Sequence, residues 1–359
     1  MTTTTETMKP QRYFRLPVWR NFFALFFVFG LTLAAAAQPK TEAVRLDGQD
    51  YVPLADWAHA NDLKWHWLED AKKVEVTNYS TRLVLEVNSA QAEINGVRVR
   101  LSFPFAVGVG VPLIAQLDLD TVIDPLLFPP HFADAKPIKT ICLDPGHGGK
   151  DSGNRAGWHF EKNYTLPLGL ELRKQLQKAG FSVIMTRTRD KYVSLSDRAA
   201  LANRCHADMF VSLHFNATPT GRDEAEGPET YCITPVGANS SNEYIERSEF
   251  GPAVGTGPTI GNRNEDKSLL LAYEVEKSLV QNLDANDRGV KRARFAVLRD
   301  TAMPAILIEG GFMTNPVESK KIYNAAYRHR MAEAIVKGIL AYQPLIASLA
   351  TVRIAHPAR

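Results

Sequence analysis

Cysteine is scarce in this chain. Three cysteines in 359 residues, Cys142, Cys205 and Cys232, stand at scattered spacings, which excludes a disulfide framework and a CxxC zinc pair. All three are expected as small buried hydrophobes. An excess of charge is missing too. The formal net charge is +3, and the first 37 residues supply all of it through Lys9, Arg12, Arg15 and Arg20 against Glu6. A neutral remainder gives no reason to expect nucleic acid or an anionic membrane as partner. Phosphate-binding glycine patterns are absent as well. Gly149-Lys150 follows Asp144 where a P-loop needs glycine and precedes Asp151 where it needs Ser or Thr, and "GHGGKDSG" does not fit GxGxxG.

No apolar run is long enough to cross a bilayer comfortably. "NFFALFFVFGLTL" has about a dozen residues. It follows the basic stretch "KPQRYFRLPVWR" and precedes "AAAAQ", with Ala35 and Ala37 at the −3 and −1 positions of a signal peptidase site. Residues 1–37 are therefore expected to be a signal peptide, with the mature chain starting near Gln38, exported to the periplasm or cell envelope. The alternative is an uncleaved membrane anchor. No cysteine follows the cleavage site, which argues against lipid attachment.

What is present divides in two. Residues 44–123 hold short alternating runs, "VEV", "RLVLEV" and "VRVRL", as half-buried strands do. Asn95-Gly96 signals a type I′ hairpin, and "PLADWAHANDL" a short helix. His59 and His66 are isolated here and carry no catalytic cluster. "LDGQDYVPLADWAHANDLKWHWLEDAKKVEVT" resembles the small α+β module named after the N-terminal region of copper amine oxidases. That resemblance implies a binding or spacer role, such as a cell-wall or activator contact, and no copper. Residues 124–137, "DPLLFPPHFADAKP", are proline-rich and aperiodic, as a linker would be.

From 138 to 345 strands alternate with helices, ahead of a tail at 346–359. "IKTICL", "FSVIM", "MFVSL", "ETYCI" and "PAILI" read as strands. Leu168, Leu172, Leu176 and Ala179 fall on one helix face, with Gly180 at the C-cap; Ser194 and Asp197 open a helix over "LSDRAALANR". Leu271, Val275, Leu279 and Met331, Ile335, Ile339 mark two more helices. Such alternation predicts one sheet covered on both faces.

The chemistry gathers at strand ends. His147 follows "ICLDPG", His214 follows "MFVSL", Glu309 follows "PAILI", and Glu161 stands before the first helix. In open α/β sheets, groups past the carboxyl ends of parallel strands converge on one edge. Two histidines and one carboxylate would leave a zinc ion an open fourth position, and a second carboxylate could move the proton of a hydrolytic water. Taken singly, each residue has a plainer reading: a structural histidine, a surface glutamate, Glu309 paired with an arginine such as Arg187, or glycines marking tight turns. Their joint placement favours a site.

"ICLDPGHGGKDSGN", "EKNYTLPLGLELRKQL", "VIMTRTRDKYVSLSDRAALAN", "ADMFVSLHFNA" and "DRGVKRARFAVLRDTAMPAILIEGGFMTN" together resemble the zinc-dependent N-acetylmuramoyl-L-alanine amidases of the AmiC and CwlV type. The resemblance runs from about Ile138 to Tyr342. It implies an α/β fold, with a mixed, mostly parallel sheet of about six strands and helices on both faces, preceded here by the small α+β domain. It implies His147, Glu161 and His214 as zinc ligands and Glu309 as catalytic acid/base, with Asn216 as a residue that positions substrate or supports the ligands. Hydrolysis of the amide between N-acetylmuramic acid and L-alanine in peptidoglycan is the activity implied, and a monomer is expected. His159 is a rival ligand to Glu161. Residues 236–266, where some relatives carry an inhibitory helix, are dominated by Gly, Pro, Asn and Ser and are expected to line the substrate path. The alternative is that Glu243 or Glu246 caps the zinc. A zinc peptidase of the stem peptide and a non-catalytic wall-binding protein are the competing functions.

Overall fold

The structure, a computed structural model, describes residues 44–132, 136–220, 223–241 and 255–347. The expected signal segment, Glu243 and Glu246, and the tail from 348 onward lie outside the described residues. Nine strands come first: β1 (Val44–Leu46), β2 (Gln49–Pro53), β3 (Lys64–Leu68), β4 (Lys73–Thr77), β5 (Arg82–Glu86), β6 (Gln91–Ile94), β7 (Val97–Arg100), β8 (Ala106–Gly108) and β9 (Val111–Ala115). Strands β3 to β7 form an antiparallel meander. Its alternation buries Val74, Val76, Leu83, Leu85, Ile94, Val97 and Val99 on one face and leaves the other polar. Asn95 and Gly96 take φ of 47° and 81°, the double positive φ of a type I′ turn. The remaining four strands pair as β1-β2-β9-β8, and the Leu54–Ala60 helix buries Leu54, Trp57 and Ala58 against this layer.

The second part contributes β10 (Thr140–Pro145), the hairpin β11 (Arg155–Ala156) and β12 (His159–Phe160), then β13 (Ser182–Met185), β14 (Met209–Asn216), β15 (Glu229–Cys232), β16 (Val290–Arg292) and β17 (Ala305–Phe312). Six of these line up as β13-β10-β14-β17-β15-β16. All neighbours are parallel except β15 with β17. One face carries Leu143, Val211, Leu213, Ile306 and Ile308 in the main core with the helices Lys162–Lys178, Glu265–Leu283 and Ala325–Ile346. The other face carries Cys142, Phe210, Tyr231 and Leu307 against Ala202, Phe295 and Leu298. Both faces are thus covered, as a largely parallel sheet requires. Ser194 caps the Leu195–Arg204 helix, its Oγ accepting from the Asp197 backbone N–H at 3.2 Å.

Three features differ from the sequence expectation. The six-stranded sheet does not end at β16. Val290 pairs with Val99 of β7, so the meander continues the sheet to eleven strands, and the Tyr273 hydroxyl donates to the Ile94 carbonyl at 2.9 Å across the same junction. The expected linker opens with a helical turn, Asp124–Leu127. That turn closes a helical run that starts at Gln116. Leu126 is buried, and Asp124 accepts from the Trp57 indole at 2.9 Å. Of the three cysteines, Cys142 and Cys232 are buried but Cys205 is exposed. It occupies the C-cap of the Leu195–Arg204 helix, where the chain leaves the core.

Candidate metal centre

Strand β10 runs out into the glycine-rich turn, and there the chain takes a strained path. His147 itself has φ of 60°, a left-handed conformation costly for a residue with a side chain. Two buried arginines clamp the turn. Arg187 donates to the carbonyls of Pro145 and Gly146 at 2.8 and 2.7 Å, and Arg198 to the His147 carbonyl at 3.0 Å. Arg198 also pairs with Asp144 at 2.6 Å. Burial alone would raise the Asp144 carboxyl, but Arg198 and the Thr186 hydroxyl outweigh it and hold the pKa below the ordinary value. Arg187 is therefore committed to backbone carbonyls, and the described ion pairs do not join it to Glu309.

The clamped turn brings His147 to Glu161 and His214. One potential ligand atom from each lies within 4.8 Å of the others. All three side chains are buried. Glu161 stands at the start of the Lys162–Lys178 helix, where the helix dipole favours a carboxylate. Its Oε1 accepts from the Phe215 N–H at 3.0 Å and faces His214 Nδ1 at 2.9 Å. Its Oε2 accepts from the Asn154 N–H at 2.9 Å. The glycines pack this cluster together. A Cβ on Gly146 would stand 2.5 Å from His214 Nε2, and one on Gly153 would stand 2.5 Å from His147 Cδ2 and 2.6 Å from Glu161 Oε2. Glycine is required because the imidazoles and the carboxylate fill the space where a side chain would begin.

The electrostatics ask for a cation. His147 Nδ1 lies 3.0 Å from both oxygens of Asp151, which fixes the Nδ1–H tautomer and turns Nε2 inward. That Nε2 is 3.0 Å from Glu161 Oε2, yet outside hydrogen-bond geometry and without another partner. A proton on Nε2, or a metal cation between Nε2 and that oxygen, would satisfy both atoms. Burial pulls the His147 pKa down, but Glu161 and Asp151 more than offset it and lift it to about 10. Burial lowers His214, against the pull of Glu161. Burial raises Glu161, but the two histidines bring it well below the ordinary carboxylate range. Two nitrogens and a carboxylate are a donor set that suits zinc, and among the described residues no fourth His, Cys, Asp or Glu joins the group.

Glu309 lies beside this cluster in the sheet. Its register partner on β14 is His214 and on β15 is Glu229, so all three side chains leave the same face. Glu309 is 3 % exposed. Asn216 does not join the three-residue cluster: its Nδ2 donates to Glu229 Oε1 at 2.8 Å. His159 also stays apart. It is exposed, bonded to the Tyr164 hydroxyl and stacked on Tyr323 at 3.9 Å. The sequence reading passed over Asp151 and Glu229. Asp151 carried a usable signal, lying four residues after His147 within the same turn; Glu229 carried none until the register placed it opposite Glu309.

Fold and site together define an α/β protein with a candidate metal-dependent hydrolytic centre at the carboxyl edge of its sheet. A family model described as N-acetylmuramoyl-L-alanine amidase matches residues 141–341, and one described as copper amine oxidase N-terminal domain matches residues 32–115. The N-acetylmuramoyl-L-alanine amidase AmiC of Neisseria meningitidis serogroup B is 36% identical over 56% of this chain and 52% of its own length. The uncharacterized protein YqiI of Bacillus subtilis is 33% identical over 58% of this chain and 87% of its own. A crystal structure of an N-acetylmuramoyl-L-alanine amidase from Clostridium difficile 630 shares 36% identity, covers 58% of this chain and 97% of that one, and has a TM-score of 0.47. The chain thus spans about half the length of the Neisseria relative. It belongs to the N-acetylmuramoyl-L-alanine amidase family.

Proposed function

We propose that this protein is a zinc-dependent amidase that hydrolyses the bond between N-acetylmuramic acid and L-alanine in peptidoglycan. The convergence of His147, Glu161 and His214 within 4.8 Å, with Glu309 in the adjacent strand position, carries the reading. His147, Glu161 and His214 would hold the metal. A bound zinc ion supplies Lewis acidity toward the scissile carbonyl and toward water. Asp151 keeps the His147 tautomer that presents Nε2. Glu309 takes a proton from the attacking water on its carboxylate and returns it to the departing alanine nitrogen.

Export to the periplasm or cell envelope fits a polymeric wall substrate and the signal-like segment at 1–37. Among the described residues no helix is long and apolar enough to cross a membrane. In this reading the chain acts as a monomer, and residues 44–123 serve the substrate rather than a separate ligand. The test is digestion of purified sacculi with and without a chelator, with released fragments identified by mass spectrometry. Glycan bearing free lactyl groups together with intact stem peptides is expected, only when metal is present. Shortened peptides would point to a stem-peptide peptidase. Sacculus binding without any cleavage would point to a wall-binding protein.

A further inference from the structure

We infer that the open face of the β4–β7 meander is a carboxylate-reading platform for the stem peptide, centred on Arg98 and Arg100. The inference rests on the amidase reading above for its choice of ligand, and on the sheet for its geometry. Register carries one face from the candidate centre to these arginines. Glu309 is opposite Glu229; Tyr231, two residues on and so on the same face, is opposite Lys291. Val290 and Val99, paired and both buried, point to the other side. Alternation then puts Arg98 and Arg100 on the face of Lys291, Glu229 and Glu309.

Along that face a recess of about 260 Å³ is lined by Gln91, Arg98, Val99, Arg100, Arg288 and Lys291. Its cations outnumber its carboxylates. Arg288 and Lys291 share the single carboxylate of Glu229, Arg288 at 2.9 Å. Asp287 accepts the Arg98 backbone N–H at 2.7 Å, and Glu93, opposite Arg98 in the register, is held by Arg82 at 2.5 Å. Arg98 and Arg100 are exposed, and the Arg98 charge acts on the Asp287 carboxylate. Arg82 also holds Glu75, so five cations, Arg82, Arg98, Arg100, Arg288 and Lys291, face four carboxylates, Glu75, Glu93, Glu229 and Asp287, an excess of one positive charge. Guanidinium forks favour carboxylates.

The spacing suits one ligand. From β17 through β15 and β16 to β7 there are three strand steps, roughly 14 Å at about 4.8 Å per step. An extended peptide covers that distance in about four residues, the length of a peptidoglycan stem, whose residues beyond L-alanine carry free carboxylates. With the scissile amide at the metal, those carboxylates would fall along the recess.

The test compares full-length mature protein with Arg98→Gln/Arg100→Gln and Arg98→Lys/Arg100→Lys, using a free stem tetrapeptide as calorimetric probe, with its carboxylates either ionised or amidated. The glutamine pair is expected to bind the ionised peptide on the order of tenfold more weakly. The lysine pair should restore most of the affinity, and the amidated peptide should bind all three proteins weakly and alike. Equal affinity of wild type and glutamine pair, equal affinity for amidated and ionised peptide, or no binding at all would each overturn the platform. Turnover of a muramoyl tetrapeptide, measured in parallel, separates the two ideas. Peptide binding without lactyl–alanine cleavage defeats the amidase reading alone, whereas cleavage with arginine-independent affinity defeats the platform alone.

Discussion

One sheet is built here in two ways. Strands β10, β13, β14 and β17 run parallel, are covered by helices on both faces, and keep every residue of β14 and β17 buried. Strands β3 to β7 run antiparallel and alternate, Val97 and Val99 buried, Arg98 and Arg100 exposed. The covered half can hold polar groups only by satisfying them against one another, and that requirement assembles Asp144, Arg198, His147, Glu161 and His214 into one network. The open half has no such constraint and presents its charges to solvent. The same pleat therefore yields an enclosed reactive edge at one end and a polar surface at the other.

The largest expected effect tests the covered half. Glu309→Gln keeps volume and hydrogen-bonding capacity but cannot take up a proton, so turnover should fall by about 10² to 10⁴. One zinc per chain should remain, because the three-residue cluster does not include Glu309. Loss of zinc in this variant would mean that the carboxylate belongs to the metal instead. Next is the coupling between the halves. Leu85 is fully buried in a cluster that also contains Ile306, Leu271 and Ile335 of the amidase part. Leu85→Ala should cost about 2 to 5 kcal/mol and shift a single unfolding transition, with loss of activity following the same midpoint. Two separated transitions would show that the halves fold independently despite sharing strands.

Local signals in the sequence predicted much of this. The Ser194 cap, the Asn95-Gly96 turn and the apolar spacing of Leu168, Leu172 and Leu176 act within a few residues, so the elements they define are legible without tertiary information. The strand-end positions of His147, His214 and Glu309 were legible for the same reason: a polar residue directly after an apolar run is conspicuous. Three things were not. The Val99–Val290 pairing spans nearly two hundred positions and rests on one register contact, which no pattern encodes. The glycines near His147 could be read from sequence only as marking tight turns, whereas Gly146 and Gly153 also make room for the imidazoles and Glu161. Cys205 looked like a core residue by type, but a helix C-cap sets its exposure.

A smaller effect follows from the proton that occupies the cluster without metal. Glu161 and Asp151 lift His147 to about 10 against the opposing effect of burial, so at neutral pH this imidazole is charged and a cation must displace its proton. His214 is shifted the other way and is already neutral there. Zinc affinity should therefore rise about tenfold per pH unit from about pH 7 to 9 and level off as the pH passes the His147 value. Calorimetry in buffers of different ionisation enthalpy should report one proton released per zinc. A flat profile would show that the cluster is preformed around a neutral His147, whereas a second proton would come from water at the metal.

The smallest effect belongs to the open half. Gly96 has φ of 81° and nothing within 4 Å of where a Cβ would stand, so replacing it with alanine creates no clash and isolates the conformational cost of a left-handed residue. Gly96→Ala should destabilise by about 1 kcal/mol, read as a small fall in the denaturation midpoint with an unchanged slope. Turnover of small soluble fragments should stay the same, since the turn lies at the far end of β6 and β7 from the β16 contact of Val99. A turnover loss out of proportion to that cost would mean that the turn's geometry is transmitted along β7 to Arg98, Arg100 and the recess beside β16. The open half would then be a working part of the active face rather than a surface attached to it.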